Sequence, residues 1–424
     1  MSKLRNSYNF NANNMTKRRN TGVTLSDEVR QQALAQFKSG KPLFGKGGAF
    51  APMLQELLEA ALEGELAAHL NEDVEPDPNR RNGHTSKTLK TSEGSFELIT
   101  PRDRNGSFTP ETVRKRQTIL TDTLEDRIIG LYGLGMSYRD ISKHIEDMYD
   151  TSVSHSVLAE ITERIVPKVR EWQNRPLDAV YPIVWLDAMY YKVKGEEGHI
   201  VTRCLYNVLG VSSEGRKEVL GCYVSESEGA KFWLTVLNNL QSRGVEDILI
   251  ACIDNLSGFE QAIGTIYPKT EVQSCIVHQV RNTMKYVPNK DRKAVVADVK
   301  KIYRALTKEE GEEFLVEFES KWGKKYPIAI KSWQTNWHKL STFYKYPAAI
   351  RKLIYTTNTI EGYHRQIRKV TKTKGAFPSD MALLKLVYLA TDRIEDNWKN
   401  PLRDWIPTSQ QLIIIFGGRM PQTL

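Results

Sequence analysis

Residues 181–193, YPIVWLDAMYYKV, decide the fold that we predict for this chain. The stretch is a mostly apolar run that carries one carboxylate, Asp187, and then alternates in polarity, which is the pattern of a buried β-strand. Charged side chains are rarely buried without a partner, so Asp187 needs a reason to be there. We predict that Asp187 is the first of three carboxylates that hold metal ions.

Length and composition set broad limits. A chain of 424 residues is expected to form two to four structural units. Its net charge of +9 favours a polyanionic partner. Four cysteines without a C-x-x-C pair, together with the lack of a signal peptide or membrane-length apolar run, predict a cytoplasmic protein with no membrane partner.

The residues around Asp187 predict a mixed β-sheet. Three antiparallel strands with short Gly-containing connections are expected over 181–193, 200–211 and 217–225. A helix over 229–242 then leads to the continuously apolar run 247–253, which predicts a parallel strand that ends at Asp254. A helix over 256–267 and a fifth strand over 271–277 follow. Ligands bind such sheets beyond the carboxyl ends of the strands, where Asp254 lies.

Beyond the sheet, the pattern is helical. Charged helices with Trp and Pro residues predict an all-α insertion, and a basic helix over 355–374 then carries Glu361 in its first turn. The face of Glu361 continues as a basic stripe of Arg365, Arg368 and Lys372. An acidic site that opens onto such a stripe is expected to face a phosphate backbone. A further helix is predicted over 381–398.

Asp187, Asp254 and Glu361 form the candidate site. Carboxylates that are brought together repel unless a cation is present, and all-oxygen ligands match Mg²⁺ or Mn²⁺ rather than Zn²⁺. Two such ions could activate a water or a 3′-hydroxyl at a phosphodiester and stabilise the leaving oxygen. Each acid also has an ordinary alternative: a strand-end or turn cap for the aspartates, and a capping box with Asn358 or an ion pair with Arg365 for Glu361.

Isolated histidines and cysteines give weaker signals. Cys275 and His278 form a C-x-x-H pair, but no second pair with ligand spacing follows. A structural zinc site is therefore not expected, and a packing or hydrogen-bonding role is preferred for this pair. His338 and His364 are expected to form local hydrogen bonds rather than to bind metal.

The amino-terminal region alternates in charge. Residues 1–50 are basic and predict a flexible arm, either phosphate-contacting or merely solubilising. The amphipathic helix predicted over 52–70 is acidic, so it is expected to pack on the body or on another subunit rather than on DNA. Residues 80–116 predict a basic hairpin with strands at 86–89 and 95–100, whose following loop offers Arg102 and Arg104 to phosphates.

A helix-turn-helix is predicted over 123–166, with a turn at 149–152 and 152–166 as the recognition helix. Ser154 or Ser156 is expected to cap that helix. The side chains expected to face inward are Ile141, Ile145, Met148, Val157, Ile161 and Ile165. The candidates for DNA contact are Arg139, Lys143, Ser154 and His155. An ordinary helical hairpin is the alternative.

Several long motifs resemble the mutator-type transposases of bacterial insertion sequences. They are DAMYYKV (187–193), VLGCYVSESEGAKFW (219–233), ACIDNLSGF (251–259), CIVHQVRN (275–282), YTTNTIEGYHRQIRKVTKTKGAF (355–377), RNGHTSKT (81–88) and PRDRNGSF (101–108). The resemblance implies an α/β fold in which a ribonuclease-H-like catalytic core, a mixed sheet with helices, is interrupted by an all-α insertion and preceded by a mainly helical DNA-binding region. It also implies that Asp187, Asp254 and Glu361 are a DDE triad with two Mg²⁺ ions, for which Mn²⁺ could substitute. Cys275 and His278 match a family motif of uncertain role.

The activity implied by the resemblance is that of a DNA transposase. Such an enzyme binds the terminal inverted repeats of an insertion sequence and catalyses metal-dependent strand cleavage and strand transfer. The implied partners are the terminal repeats, target DNA and further copies of the chain in a homodimer or larger assembly, at the nucleoid of a bacterial cytoplasm. Trp333 or Trp337 is a candidate for stacking on an unpaired base. The alternative is a catalytically inactive, transposase-derived protein that binds DNA sequence-specifically.

The predicted order of units is as follows: a basic arm (1–50), an acidic helix (51–79), a basic hairpin region (80–120), a helix-turn-helix domain (121–176), the first part of the core (177–285), the helical insertion (286–350), the final part of the core (351–400) and a C-terminal tail (401–424).

Overall fold

The structure is a computed structural model that describes residues 26–40, 48, 50–72, 78–91, 94–115, 117, 122–149, 152–195, 197–226, 229–254, 258–355 and 358–421. The chain divides into two compact units. Unit 1 consists of Met1–Asp126 and Ser142–Val153, and unit 2 consists of Arg127–Ile141 and Ser154–Leu424. The finer division into eight segments stays a prediction.

Unit 1 is built on a helix and a hairpin. Its elements are α1 (Asp27–Lys38), α2 (Phe50–Glu72), β1 (Arg81–Thr91) and β2 (Gly94–Asp103), with β1 and β2 antiparallel. Leu58 and Leu62 of α2 are buried against Leu89, Phe96 and Leu98 of the hairpin. The prediction that the acidic helix packs on the protein body is therefore confirmed, and both strands are longer than predicted.

Helix α1 lies inside the segment that we predicted to be a flexible arm, so that prediction is wrong for residues 27–38. Ser26 Oγ accepts a hydrogen bond from the Val29 N–H, and acidic residues occupy the first turn, as helix N-termini favour. The other residues of the predicted arm, 1–25, 41–47 and 49, lie outside the described residues.

The predicted helix-turn-helix region contains four helices, α3 (Asp122–Gly133), α4 (Tyr138–Tyr149), α5 (His155–Glu163) and α6 (Val166–Asn174). Ile141, Ile145, Ile161 and Ile165 are buried as predicted, but Met148 is 58% exposed and Leu158 is buried where no core residue was expected. Ser154 caps α5. The predicted recognition helix is shorter than expected because a new helix starts at Val166, with Pro167 in the first turn, where proline is favoured.

Unit 2 contains the mixed sheet. Its strands and the two helices between them are β3 (Val180–Lys194), β4 (Ile200–Val211), β5 (Lys217–Ser225), α7 (Ala230–Ser242), β6 (Asp247–Ile253), α8 (Phe259–Ile266) and β7 (Glu271–Ser274). The strand order is β5-β4-β3-β6-β7, antiparallel between β3, β4 and β5 and parallel between β3, β6 and β7. The predicted mixed sheet is confirmed.

The two faces of the sheet are covered differently. On one face, Val184 and Leu186 pack with Trp233 of α7 and Phe259 of α8 in the main core. Neighbouring residues of a strand point to opposite faces, so Asp187 belongs to the other face. That face is covered by α14 (Asn358–Thr371) and α15 (Asp380–Glu395).

The region after β7 is helical, as predicted. Its helices are α9 (Ile276–Lys285), α10 (Asn289–Arg304), α11 (Lys308–Trp322), α12 (Pro327–Leu340) and α13 (Ala348–Ile354). The predicted fifth strand is too long, because Cys275 is already the N-cap of α9. Helix α16 (Trp405–Phe416) was not predicted. Within the described parts of the chain, no helix is both long and apolar enough to cross a bilayer.

Glu395, on α15, makes the stability of unit 2 sensitive to pH. Its Oε1 accepts a hydrogen bond of 2.6 Å from the Val219 N–H. Burial raises the pKa of Glu395 from 4.5 to about 7, and the Glu218 carboxylate acts in the same direction. The folded chain therefore holds a proton that the unfolded chain has released, and stability falls as pH rises through this interval.

We expect Glu395→Gln to remove this dependence, because an amide can accept the same hydrogen bond but does not ionise. The unfolding free energies of wild type and variant should agree near pH 4 and diverge in favour of the variant by pH 8. Urea unfolding across this pH range measures the difference. Parallel pH profiles would show that the carboxyl titrates normally.

Candidate active site

Two adjacent strands place Asp187 and Asp254 side by side. In the parallel pairing of β3 with β6, Leu186 lies opposite Ile253, and each aspartate is the next residue of its chain segment. Neighbouring strands are about 4.8 Å apart, so the two carboxylates share one edge of the sheet. The Asp187 side chain is 12% exposed. This is the carboxyl-end position that the sequence predicted for a ligand site.

Helix α14 brings in the third acid. Glu361 lies in its first turn, as predicted, and the helix packs on β3. One turn further along α14, His364 Nδ1 lies 3.6 Å from Asp187 Oδ2. The helix that carries Glu361 is thus in direct contact with the strand that carries Asp187.

Helix α9 provides a second connection between the acids. Its His278 Nδ1 lies 3.5 Å from Asp254 Oδ1, and its Arg281 Nη1 lies 2.7 Å from Glu361 Oε1. Residues three apart share one face of a helix, so one face of α9 contacts two of the acids. Arg281 is the partner that sequence reasoning missed, since Glu361 was expected to pair with Arg365 of its own helix if it paired at all.

The two histidines carry different charges. Burial alone would lower the pKa of His278, but its hydrogen bond and electrostatic interaction with Cys275, together with the carboxylates of Asp187 and Asp254, outweigh burial and raise the pKa to about 9. Burial lowers the pKa of His364 to about 3, assisted by the nearby positive charge of Arg368. At neutral pH, His278 is therefore a cation and His364 a neutral ring.

Two buried polar atoms of this site lack aligned hydrogen bonds. Within the described residues, Glu361 Oε1 and His278 Nδ1 are buried and neither has a hydrogen-bond partner. For Glu361 the Arg281 guanidinium is close enough to pair by charge, but its N–H is not aimed at the oxygen. Most buried polar groups of proteins have a hydrogen-bond partner. A buried carboxylate oxygen without one is suited to a metal ion, which needs no donor hydrogen.

The residues fit a hard divalent ion in their chemistry, since all three acids offer oxygen ligands. In the arrangement described, however, no group of three or more His, Cys, Asp or Glu side chains in the described part of the chain is close enough to hold a metal ion. The acids contact His278, Arg281 and His364 instead. The donor set is therefore suitable, and its convergence on one ion requires the charged contacts with His278 and Arg281 to give way.

The C-x-x-H pair has the hydrogen-bonding role that we preferred. Cys275 Sγ accepts a hydrogen bond of 3.2 Å from the backbone N–H of His278 and so caps α9. This cap sets the direction in which α9 presents His278 to the aspartates. In the described residues, the pair belongs to no metal-binding cluster.

The basic stripe on α14 is exposed as predicted, at Arg365, Arg368 and Lys372. The insertion tryptophans are less available. Trp333 is fully buried and donates through Nε1 to Thr283 Oγ1 at 2.8 Å, so it cannot stack on a base as the structure stands. Trp337 is partly exposed and donates to Glu312.

The predicted DNA contacts of the amino-terminal region are exposed, but they do not form one cluster within either unit. Arg102, Arg104 and Lys143 belong to unit 1, whereas Arg139, Ser154 and His155 belong to unit 2. Ser154 is used as the N-cap of α5. Their role in binding DNA stays a prediction.

Asp103, between Arg102 and Arg104, holds the end of the hairpin in place. Its Oδ2 accepts hydrogen bonds from Asn79 Nδ2 at 2.8 Å and from the N–H and Oγ of Ser107 at 2.8 and 2.9 Å. Burial alone would raise its pKa, but these hydrogen bonds outweigh burial and hold the pKa well below the usual range. Asp103 therefore stabilises unit 1 above the pKa of the unfolded carboxyl, and this contribution is lost as pH falls.

We expect Asp103→Ala to destabilise the hairpin by about 3 kcal/mol, because the buried Asn79 amide and both Ser107 donors lose their charged acceptor. Hydrogen exchange of the β1 and β2 amides should accelerate, whereas exchange in β3 and β6 of unit 2 should be unchanged. Asp103→Asn, which keeps one acceptor oxygen, should have a smaller effect. Unaltered exchange in Asp103→Ala would show that other contacts hold the end of the hairpin in place.

This chain is similar in sequence to known proteins over most of its length. The model of the family described as "Transposase, Mutator family" matches residues 21–401. The transposase for insertion sequence element ISRM3 of Rhizobium meliloti (strain 1021) is 40% identical over 400 residues, 94% of this chain and 99% of that protein. The transposase for insertion sequence element IS905 of Lactococcus lactis subsp. lactis (strain IL1403) is 33% identical over 361 residues, 84% of this chain and 90% of that protein.

Among solved structures, the chain is similar to one in the cryo-EM structure of the simian T-cell lymphotropic virus intasome in complex with PP2A regulatory subunit B56 gamma. The identity is 11%, over 49% of this chain and 64% of that one, and the TM-score of 0.18 is too low to support an argument. The sequence matches do support one: a family model that covers most of the chain, and relatives that are similar almost from end to end, show that this chain belongs to the mutator family of insertion-sequence transposases.

Proposed function

We propose that this protein is an active DDE transposase, which binds the terminal inverted repeats of its insertion sequence and catalyses cleavage and transfer of DNA strands. The observation that supports the proposal is that Asp187 and Asp254 lie at the ends of two adjacent parallel strands, while Glu361 lies on the helix that packs on the strand of Asp187. The alternative, a binding protein with a dead catalytic site, is disfavoured because all three acids are present in the sequence.

The sheet supports a ribonuclease-H-like core. Counted along the chain within the sheet, the strand order is 3-2-1-4-5, with three antiparallel strands followed by two parallel ones. Such a sheet places an acid of its first strand beside one at the end of its fourth, and a returning helix supplies the third. The helices α9 to α13 stand between the second and third acids as the insertion.

In this proposal Asp187, Asp254 and Glu361 hold two Mg²⁺ ions, with Mn²⁺ as a substitute. When bound, the ions would polarise the phosphodiester, activate a water or 3′-hydroxyl and stabilise the leaving oxygen. Protonated His278 reduces the repulsion between Asp187 and Asp254, and Arg281 does the same for Glu361. These contacts offset the repulsion between neighbouring carboxylates.

The basic surfaces fit a DNA partner. Arg365, Arg368 and Lys372 extend from the acids along the exposed face of α14 and would hold the phosphate backbone beside the site. Arg102 and Arg104 of the hairpin and Arg139, Lys143 and His155 of the helices would contact the terminal repeats. Assembly as a homodimer or larger oligomer on paired ends is part of the same proposal.

Cleavage of end-labelled element DNA by the whole chain, with Mg²⁺ and with EDTA, tests this function. Mg²⁺-dependent nicking at the element end is expected. Specific binding of the same DNA without any cleavage would favour the inactive DNA-binding protein.

A further inference from the structure

A row of polar side chains lies buried in the sheet beneath α14. Asp187 of β3 pairs with Asn207 of β4, and Asn207 pairs with Cys222 of β5, so the three residues stand side by side across adjacent strands. Asn207 and Cys222 are fully buried, and His364 of α14 is 3% exposed. Buried polar groups need partners, and a row in register with the first acid of the site calls for an explanation.

The hydrogen bonds in this row have a definite direction. Burial raises the pKa of Cys222 to about 12, so its thiol is a donor, and its Sγ donates to Asn207 Oδ1 at 3.3 Å. The amide therefore presents Nδ2 to His364 Nε2, 3.1 Å away. Since an amide nitrogen only donates, Nε2 must be the acceptor, and the proton of the neutral ring is on Nδ1.

The protonated nitrogen faces the catalytic strand. His364 Nδ1 lies 3.6 Å from Asp187 Oδ2, and Asp187 Oδ1 accepts from the Ala188 N–H at 2.8 Å. At 3.6 Å the approach is slightly longer than a formed hydrogen bond, and contacts of this kind often tighten only when substrate is bound. Asp187 Oδ1 is thus oriented by a backbone N–H, and Oδ2 faces the His364 ring nitrogen.

The position of His364 in the chain gives this contact its importance. Glu361 is one turn away on the same helix, but that helix returns to the sheet only after the whole helical insertion, so no local connection sets its distance from Asp187. Tyr363 adds a second attachment: its hydroxyl lies 3.4 Å from Cys222 Sγ and 2.8 Å from Thr391 Oγ1.

We propose that His364 is a positioning residue which, held as the Nδ1–H tautomer by Asn207, ties Asp187 to the helix of Glu361 and fixes the spacing of these two acids. The inference rests on the proposed function in that strand cleavage is the activity that the spacing serves. His364 itself neither binds metal nor transfers a proton.

Two substitutions separate positioning from simple packing. His364→Leu fills the space but has no N–H, whereas His364→Asn keeps an N–H near the Nδ1 position. We expect His364→Leu to lower the cleavage turnover about 100-fold, equivalent to about 2.7 kcal/mol, with an unchanged KM for DNA. His364→Asn should stay within about tenfold of wild type. Equal losses in both variants would mean packing alone, and wild-type turnover in His364→Leu would remove the role altogether.

A spectroscopic readout tests the tautomer without any activity measurement. In ¹⁵N-histidine-labelled wild type, the His364 ring should show protonated Nδ1 and unprotonated Nε2. Asn207→Asp offers Nε2 an acceptor instead, so it should reverse this pattern and lower turnover as His364→Leu does. A wild-type ring protonated on Nε2 overturns the inference, whether or not the substituted chains fold.

The experiments distinguish failure of the proposed function from failure of the inference about His364. If wild type does not cleave DNA under conditions where it binds, the proposed function is wrong, and the ring tautomer still decides the inference about His364. If wild type cleaves and Asp187→Asn does not, the function stands, and the two His364 variants then decide the positioning role.

Discussion

Asp187→Asn, Asp254→Asn and Glu361→Gln should each lower Mg²⁺-dependent cleavage of element-end DNA by about a thousandfold or more, a loss of at least about 4 kcal/mol of transition-state stabilisation. Each change keeps the size of the side chain but removes the negative charge that a divalent ion requires. Asp187 and Asp254 share one edge of the sheet, and Glu361 is tied to that edge through α9 and α14, so each acid occupies its own position at the site.

The measurement is single-turnover cleavage with protein in excess, combined with DNA binding in Ca²⁺ or EDTA. Binding should stay within a few-fold of wild type, about 1 kcal/mol or less, because in the proposed function the three acids hold the metal ions and the basic side chains hold the phosphates. Asp396→Asn, which removes an exposed carboxylate of the same charge elsewhere in unit 2, is the matched control and should cleave normally. A triad variant that cleaves at the wild-type rate would show that its acid is one of the ordinary caps.

Much of the sheet was predictable from the sequence because local rules determine it. Strands β4, β5 and β6 begin and end where apolar alternation and Gly-containing turns placed them. The end of β7 was not predicted, because Cys275 continues an apolar run in sequence but acts as a helix cap in the structure. Apolar runs of this length fit a strand or a buried helix equally well.

At the site, features that depend on local sequence were predictable and features that depend on contacts between distant segments were not. An acid in an apolar strand, or at the start of a basic helix, stands out by context, so the three acids could be selected as candidates from the sequence. Their basic partners could not, since Arg281 and Glu361 meet only through the packing of α9 against α14. Asn207 did leave a signal, because it is a polar residue within the apolar run of β4.

Two side chains were predicted on the wrong side of the surface, because only tertiary packing decides which helix faces are buried. Met148 has the helical spacing of a core residue but is exposed near the end of α4. Trp333 was a candidate for base stacking, yet its indole is buried and hydrogen-bonded to Thr283. Spacing along a helix identifies a stripe, but the width of the covered part depends on what packs there.

The second large effect concerns Arg365 and Arg368. Replacing both with Ala should weaken binding of element-end DNA and reduce the slope of log K against log salt by about 1.8, because each phosphate contact contributes about 0.9. Both side chains are exposed on α14, within three turns of the helix start that carries Glu361. In the proposed function, DNA that reaches the acids passes beside them.

Fluorescence anisotropy at several salt concentrations measures the slope, and the double variant Lys293→Ala, Lys300→Ala is the matched control. It removes the same charge from exposed positions of α10, so a general loss of positive charge would affect both variants alike. Local phosphate contact predicts a reduced slope for the arginine pair alone. An unchanged slope there would mean that the stripe faces protein, and the DNA would then be expected to approach the acids from the side of α9, where Arg281 is an exposed cation.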